Sequence, residues 1–197
     1  IGAFLGDITE TIFCRITAGY WMSRSSVVWG PFSIVWGLAI AAVTQLLYRY
    51  KDRPASWLFV AGTLLGGAYE YLCSVFTEVV FGTVFWDYSA IPFNLGGRIN
   101  LLYCFFWGFA AIAWFKILYP PISHLIESIP SRFGTVLTWG LCVFMAVNMV
   151  VSSAALVRYN ERVRGQAATT SLAAYLDEHF DDARMAKVYP KAVHVEK

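Results

Sequence analysis

The stretch ASWLFVAGTLLGGAYEYLCSVFTEVV, residues 55–80, decides the fold class of this chain. Its first 15 residues carry no charge, and a helix of about 20 mostly apolar residues is what crosses a bilayer. With Glu70 tolerated inside it, the helix can continue to about Val80. Gly62, Gly66 and Glu70 recur at four-residue spacing and so share one stripe of the helix. We predict a membrane-spanning helix that packs closely on a neighbour and places a carboxylate beside that contact.

The composition of the rest of the chain is that of a multi-pass membrane protein. Hydrophobic residues make up 58% of the 197 residues and charged residues 14%, against about 25% charged in soluble domains. Residues 158–197 hold 13 of the 28 charges. Three further uncharged runs lie between Arg24 and Arg49 (24 residues), Arg98 and Lys116 (17 residues), and Arg132 and Arg158 (25 residues). This distribution excludes a disordered chain and a typical soluble enzyme domain.

The predicted fold is all-α, a polytopic helical membrane protein with about five transmembrane helices and a C-terminal soluble helix. We place the transmembrane domain at 1–157, with a first repeat at about 1–50, a second at about 55–118 and a fifth helix at about 133–157. The run at 1–16 is short for a span, and we expect its helix to begin before Ile1. Basic residues divide almost evenly between the two sides, so only the long polar tail favours a cytoplasmic C-terminus.

The tail, residues 158–197, is predicted to contain an amphipathic helix at about 170–186. Its apolar positions recur at helical spacing and include Leu172, Leu176 and Phe180. We expect this face to dock on the protein's own membrane domain, with the membrane surface or a partner protein as the alternatives.

An internal repeat relates the two halves of the transmembrane domain. Gly2, Gly6 and Glu10 are matched sixty residues later by Gly62, Gly66 and Glu70, and each set is followed by a loop and a helix that contains Trp-Gly. These pairs are Trp36-Gly37 and Trp107-Gly108. Both helix–loop–helix units therefore have the same orientation, as in transporters built from parallel repeats.

Acidic residues inside apolar helices are the best functional signal in the sequence. An ionised carboxylate in lipid costs at least a few kcal/mol, so it faces a polar cavity, pairs with a cation or is protonated. Asp7, Glu10 and Glu70 are such residues, and Arg98, at the start of the fourth helix, is the cation expected to reach them. A structural Glu–Arg pair that locks the repeats is the alternative to a solute, ion or proton site.

The loop at 86–100 is too polar to span a membrane and too aromatic for a free linker. We expect it to fold over or re-enter the mouth of a cavity, or alternatively to cap the helices at the membrane surface. Its side chains would then complete a substrate site near Glu70. The predicted substrate-binding residues are Glu10, Glu70, Asp87, Asn94, Arg98, Trp86 and Tyr88.

A known family resembles this chain at these same motifs. Trp86-Asp87-Tyr88-Ser89, Pro92-Phe93-Asn94-Leu95-x-Gly97-Arg98-Ile99 and Trp107-Gly108 resemble the ABC-transporter permease family called type IV or CmpB-type. Gly30-Pro31 with Trp36-Gly37 is similar to that family's Gly-Pro…Tyr-Gly stretch. The chain departs from the pattern at Asp7, where the family more usually has an aromatic residue. The resemblance implies a bacterial integral membrane protein and a permease-like role.

Three functions remain open from the sequence. The first is a transport or permease-like protein that takes a cationic or zwitterionic solute, or an ion, at the acidic site. The second is a non-transporting scaffold or sensor subunit that binds a partner through its tail. The third, which we favour least, is a lipid-acting membrane enzyme with paired carboxylates as acid and base.

The expected partners follow from what the sequence contains. Besides the lipid bilayer, we expect a separate ATPase subunit, because these residues include no Walker motif, or a second copy of the chain. The net charge of +2 and the scattered basic residues give no reason to expect nucleic acid. Cysteine and histidine spacing predicts no metal or other cofactor site.

Overall fold

The computed structural model describes residues 1–194, and the chain is mainly helical there. The helices are α1 (Gly2–Ala18), α2 (Ile34–Leu47), α3 (Ala55–Phe81), α4 (Leu101–Ala113), α5 (Tyr119–Glu127), α6 (Ser131–Val163), α7 (Ser171–His179) and α8 (Asp182–Val188). A 3-10 turn, Tyr48–Tyr50, follows α2, and a π-helical turn, Trp114–Leu118, joins α4 to α5. The two-residue strands are β1 (Thr83–Val84), β2 (Asn94–Leu95), β3 (Ile99–Asn100) and β4 (Val193–His194). The all-α prediction is confirmed.

Three helical runs within residues 1–194 are long and apolar enough to cross a membrane: Ala55–Phe81, Leu101–Glu127 and Ser131–Val163. The run Ile34–Tyr50 is apolar but shorter, and α1 has 17 residues. The three long runs expose large apolar side chains, such as Leu64 at 69% and Val150 at 69%, which suits contact with lipid. Membrane crossing by α1 and α2 stays a prediction.

The chain divides into two compact units. The first contains residues 1–38, 76–86 and 145 onward, and the second contains residues 39–75 and 87–144. The predicted boundary near 157 separates a transmembrane domain from a polar tail, whereas these two units are separated by compactness. That boundary stays a prediction.

In the first unit, the tail packs on the C-terminal end of α6 and on the loop after α1. A buried cluster joins the tail to Ala155 and Leu156 of α6. Its members from the tail are Leu176 of α7, Met185 of α8 and Phe180 between these two helices. The Tyr189 hydroxyl donates to the Ser26 carbonyl at 3.1 Å. The tail therefore docks on its own chain, as the amphipathic pattern at Leu176 and Phe180 predicts, although Leu172 is 62% exposed.

In the second unit, α2, α3 and the α4–α5 region share a core. Leu58, which is fully buried, packs with Leu47, Trp114 and Phe115. The Trp114 indole N–H donates to the Thr44 hydroxyl at 2.8 Å. The core of this unit is therefore built mainly from aromatic and leucine side chains.

Several predicted helix ends differ from those observed. The fourth helical run continues past 118 to Glu127, because Pro120 and Pro121 occupy the first positions of α5, where a missing N–H breaks no intrahelical hydrogen bond. The helix predicted at 133–157 runs from Ser131 to Val163. It does not stop at Arg158, because that residue is buried and its guanidinium is paired with the Asp177 carboxylate at 2.8 Å.

The single tail helix predicted at about 170–186 is wrong. It is two helices, α7 and α8, separated at Phe180 and Asp181. The Asp181 carboxylate accepts a hydrogen bond from the Arg184 backbone N–H at 2.7 Å and so caps the start of α8. Phe180 is buried at this break, and a continuous helix would have to carry that capping aspartate in its interior.

Candidate functional site

The second repeat holds a buried carboxylate between two hydrogen-bond donors. Glu70 lies on α3 with 6% of its surface exposed. Its Oε2 accepts the indole N–H of Trp107, on α4, at 2.9 Å. Its Oε1 accepts the Tyr88 hydroxyl, from the loop before α4, at 2.7 Å. Each carboxylate oxygen thus has a donor, as a buried polar group requires.

The first repeat arranges Glu10 in a similar way within its own unit. Glu10 Oε2 accepts the indole N–H of Trp36, on α2, at 3.0 Å. Its Oε1 accepts Nε of Arg24, from the loop between α1 and α2, at 2.8 Å. Glu10 Oε1 therefore accepts from an arginine, and Glu70 Oε1 accepts from a tyrosine hydroxyl.

Close helix approach in each copy explains why the tryptophan reaches the glutamate. A Cβ added to Gly6 would collide with the Trp36 side chain, and one added to Gly66 would collide with the Trp107 side chain. The glycine of each Trp-Gly pair is just as restricted. A Cβ on Gly37 would lie 3.0 Å from that of Ala3, and one on Gly108 would lie 2.7 Å from the Phe59 carbonyl oxygen. The predicted stripe is a helix contact in both copies.

The loop before α4 folds as a compact hairpin, β2 paired antiparallel with β3. Asn94 supports it from inside, since its Nδ2 donates to the Ile91 carbonyl at 2.8 Å and its Oδ1 accepts the Gly97 N–H at 3.0 Å. Gly97 has a φ of +70°, and a Cβ there would lie 2.6 Å from Asp87 Oδ1. Glycine is required for both reasons.

Asp87 also serves the conformation of this loop. It is exposed, and its Oδ1 accepts the Ser89 backbone N–H at 2.8 Å and the Ser89 hydroxyl at 2.5 Å. Because both donors favour the ionised form, they hold the pKa of Asp87 below its usual value. The hydrogen bonds of Asp87 and Asn94 described here lie within the loop, whereas the Tyr88 hydroxyl reaches Glu70.

Arg98 contacts α3 at Ser74, one helical turn after Glu70. Its Nη1 donates to the hydroxyl of Ser74 at 3.1 Å, and Ser74 follows Glu70 by four residues on the same stripe. Its guanidinium carbon lies 5.9 Å from the centre of the Tyr71 ring. The expectation that Arg98 is the cation for both glutamates is wrong for Glu10, because Arg24 forms that ion pair.

The predicted site residues divide between the two units. Glu10 and the half-buried Trp86 belong to the first, and Glu70, Tyr88 and Arg98 belong to the second. The structure brings Glu70 and Tyr88 into direct contact. A common site that joins both glutamates stays a prediction.

Sequence reasoning missed the role of the tryptophans. Trp36 and Trp107 mark the repeat, and their matched positions relative to Glu10 and Glu70 are the signal that could have revealed the hydrogen bonds. It also missed the polar side chains of α6. Asn148 Nδ2 donates to the Trp29 carbonyl at 2.7 Å, and the Ser152 hydroxyl accepts the Val28 N–H at 2.9 Å.

Comparison with known proteins adds one match. Residues 1–153 match the profile of the family described as "Putative ABC-transporter type IV". No curated protein matches the chain. No solved structure matches it either.

Proposed function

We propose, since the chain belongs to the type IV ABC-transporter family, that it is a multi-pass membrane transport subunit with an acidic intramembrane site. The family and the long apolar helices support a membrane transport protein. The acidic site and its solute are the proposal. Two carboxylates and few cations favour a cationic or zwitterionic solute, or an ion.

One observation carries this proposal: each repeat places a glutamate beside a close helix contact and holds it with an indole N–H. The two distances, 3.0 and 2.9 Å, are nearly the same. A duplicated polar feature on apolar helices is costly to insert in a membrane, and parallel repeats are one architecture in which transporters build their substrate sites. The proposed residues are Glu10, Glu70, Asp87, Asn94, Arg98, Trp86 and Tyr88.

Membership of the ABC-transporter family also suggests an energy source, ATP hydrolysis, and a partner protein that carries it out. The chain has no nucleotide-binding motif in these residues, so an ABC-type role requires a separate ATPase subunit. We propose that this subunit docks from the cytoplasm, on the side where we also place the C-terminal tail.

A scaffold role is the second candidate, and the Arg24–Glu10 ion pair favours it. A carboxylate held by an arginine and an indole needs no solute to satisfy it. In that case the glutamates lock each helix pair, and the chain positions partner proteins without moving a solute.

Cysteine accessibility distinguishes the two roles. Cys14 follows Glu10 by four residues on α1 and is half-buried, so it reports on the polar stripe. In a protein with Cys14 as its single cysteine, an impermeant thiosulfonate reagent is applied to right-side-out and to inverted vesicles. Transport predicts labelling from both sides, because the site opens to each in turn.

A protein with only Cys142, which is exposed on α6, is the matched control. Its labelling reports on reagent access at a site away from the acidic stripe. Labelling of Cys14 from one side alone, or from neither, would overturn the transport proposal in favour of the scaffold.

A further inference from the structure

A groove in the first unit lies outside the glutamate–tryptophan contacts described above. Its volume is about 640 Å³, within the range of small-molecule sites. α1 contributes Asp7, the loop after α1 contributes Tyr20, Trp21, Ser23 and Ser25, and α8 contributes Lys187. The apolar and aromatic atoms of these segments make most of its wall.

Asp7 is the unusual residue of this groove. Only 4% of its surface is exposed, and its buried Oδ1 accepts no hydrogen bond from the described residues. An ionised carboxylate without a donor or a cation is strongly unfavourable when buried. Either a proton or a bound cation would therefore stabilise the buried Asp7 carboxylate.

The internal repeat shows that helix packing does not require this aspartate. The matched position in the second copy, sixty residues later, is Gly67. A Cβ there would lie 2.8 Å from Cys104 Sγ, so a side chain at this position of the second copy has no room. The aspartate occurs beside the groove in the first copy and is absent from the matched position of the second.

Within residues 1–194, no basic side chain donates a hydrogen bond to Asp7 Oδ1, although the Arg24 charge acts on this carboxylate from a distance. Arg24 is bound to Glu10 at 2.8 Å, and the Arg15 guanidinium lies over the Trp21 ring at 5.8 Å. Lys187 lines the groove, but within residues 1–194 no hydrogen bond or ion pair joins it to Asp7 Oδ1. Asp7 lines the groove, and a cation bound there would supply a positive charge beside its carboxylate.

The chemistry of the wall selects the kind of cation. Hard metal ions require several oxygen ligands, and no group of three His, Cys, Asp or Glu in the described part of the chain could hold one. Aromatic rings and a single carboxylate are the usual partners of alkylated ammonium groups. We propose that the Asp7 groove binds the ammonium group of a small organic cation, between the Asp7 carboxylate and the Tyr20 and Trp21 rings.

Two sources could supply such a group. Tyr20 and Trp21 are 52% and 67% exposed just beyond the end of α1, which is where aromatic residues meet lipid headgroups. The ammonium is then that of a choline or ethanolamine headgroup, or that of a free amine in solution. Neither source depends on the transport proposal, which concerns Glu10 and Glu70.

Calorimetric titration of the full chain in nanodiscs tests the inference. Tetramethylammonium chloride is titrated into protein in phosphatidylglycerol nanodiscs, with sodium chloride as the reference. We expect saturable binding of tetramethylammonium that weakens about tenfold or more in Asp7→Asn, because the neutral amide loses the attraction to the cation. Asp52→Asn removes an exposed carboxylate outside the groove and should leave the affinity unchanged.

A second variant covers the case in which Asp7→Asn fails to fold. Lys187→Gln removes a positive charge from the groove and should tighten tetramethylammonium binding. The affinity difference between the wild-type protein and Asp7→Asn removes the effect of lipid charge. A difference that is smaller in phosphatidylcholine than in phosphatidylglycerol nanodiscs identifies the headgroup as the competing source, and an equal difference identifies a free amine. No saturable heat from the wild-type protein, or equal affinity in Asp7→Asn, would overturn the proposal.

Discussion

At the scale of single residues, the structure explains how apolar helices tolerate two glutamates. Glu70 is buried, yet each of its oxygens has a donor within 2.9 Å. The Tyr88 hydroxyl and the Trp107 indole donate to Glu70, and at Glu10 an arginine joins the Trp36 indole. The free-energy cost of each carboxylate therefore depends on one tryptophan from the neighbouring helix.

Trp107→Phe should destabilise the protein by about 1–3 kcal/mol, because the buried Glu70 Oε2 then loses its hydrogen bond from the indole. The measurement is the melting temperature in detergent, with Trp139→Phe as the control, since Trp139 is 69% exposed. Adding Glu70→Gln to Trp107→Phe should recover part of the loss, because the amide carries no charge. Equal melting temperatures for Trp107→Phe and Trp139→Phe would show that the indole bond contributes nothing.

At the scale of helices, the small-residue stripe determines the packing of α3 on α4. Added Cβ atoms on Gly62 and Gly66 collide with Ala111 and Trp107. Without a hydrophobic driving force between helices in lipid, close van der Waals contact is the main source of their association. The stripe and the carboxylate are therefore one feature, because the contact at Gly66 positions the indole that reaches Glu70.

Gly66→Leu should separate α3 from α4 and lower the melting temperature, by overpacking of about 1–3 kcal/mol or more. Ala68→Leu is the matched control, since Ala68 is exposed on the same helix. We expect the control to melt close to the wild-type temperature. A similar loss in both variants would argue against the stripe as the contact face.

The tail is a second element with a testable dependence on pH. Hydrogen bonds from Arg158, together with those from Arg162, lower the pKa of Asp177 to about 2. A carboxylate with a depressed folded-state pKa stabilises the fold above its unfolded-state value, about 3.9, and that contribution is lost as the pH falls toward 2. Docking of α7 on α6 should therefore weaken between about pH 4 and pH 2.

Hydrogen exchange of residues 171–188 measures this docking. We expect protection relative to the intrinsic exchange rate at each pH to fall as the wild-type protein is acidified through that range. Asp177→Asn should be less protected already at pH 7, with a smaller further change on acidification. Glu178→Gln is the neighbouring control. Unchanged protection of the wild-type tail at pH 2 would show that apolar packing around Phe180 and Met185 is sufficient to hold it.

At the scale of the whole molecule, the long helices predict which segments share a side of the membrane. We predict that two crossings, Ala55–Phe81 and Leu101–Glu127, would place the loops at 51–54 and 128–130 on one side of the membrane. A third crossing, Ser131–Val163, would place the tail on the other side.

Fluorescent-protein and alkaline-phosphatase fusions test this arrangement. A fusion truncated after Ile129 should be active as the phosphatase, and a fusion after Lys197 should be fluorescent, since we expect a cytoplasmic tail. The reverse pattern would contradict the orientation alone. The same reporter active at both points would contradict the third crossing.

The sequence by itself determined the fold class, the family and the repeat. Uncharged runs of membrane length can only be helical in lipid, and the resemblance carried by the 86–108 motifs is confirmed by the match over residues 1–153. The equal spacing of Gly6 with Glu10 and of Gly66 with Glu70 predicted a helix contact that the structure has in both copies.

Only the tertiary structure decided which partners the charges take. Arg24 pairs with Glu10 across 14 residues of chain, and Trp107 reaches Glu70 across 37. Helical periodicity relates residues within one helix, but it does not say which face of the next helix meets them or how a loop turns. Asp7 is the clearest case, because its burial without a donor arises from the packing of α1, the following loop and α8, which are far apart in the sequence.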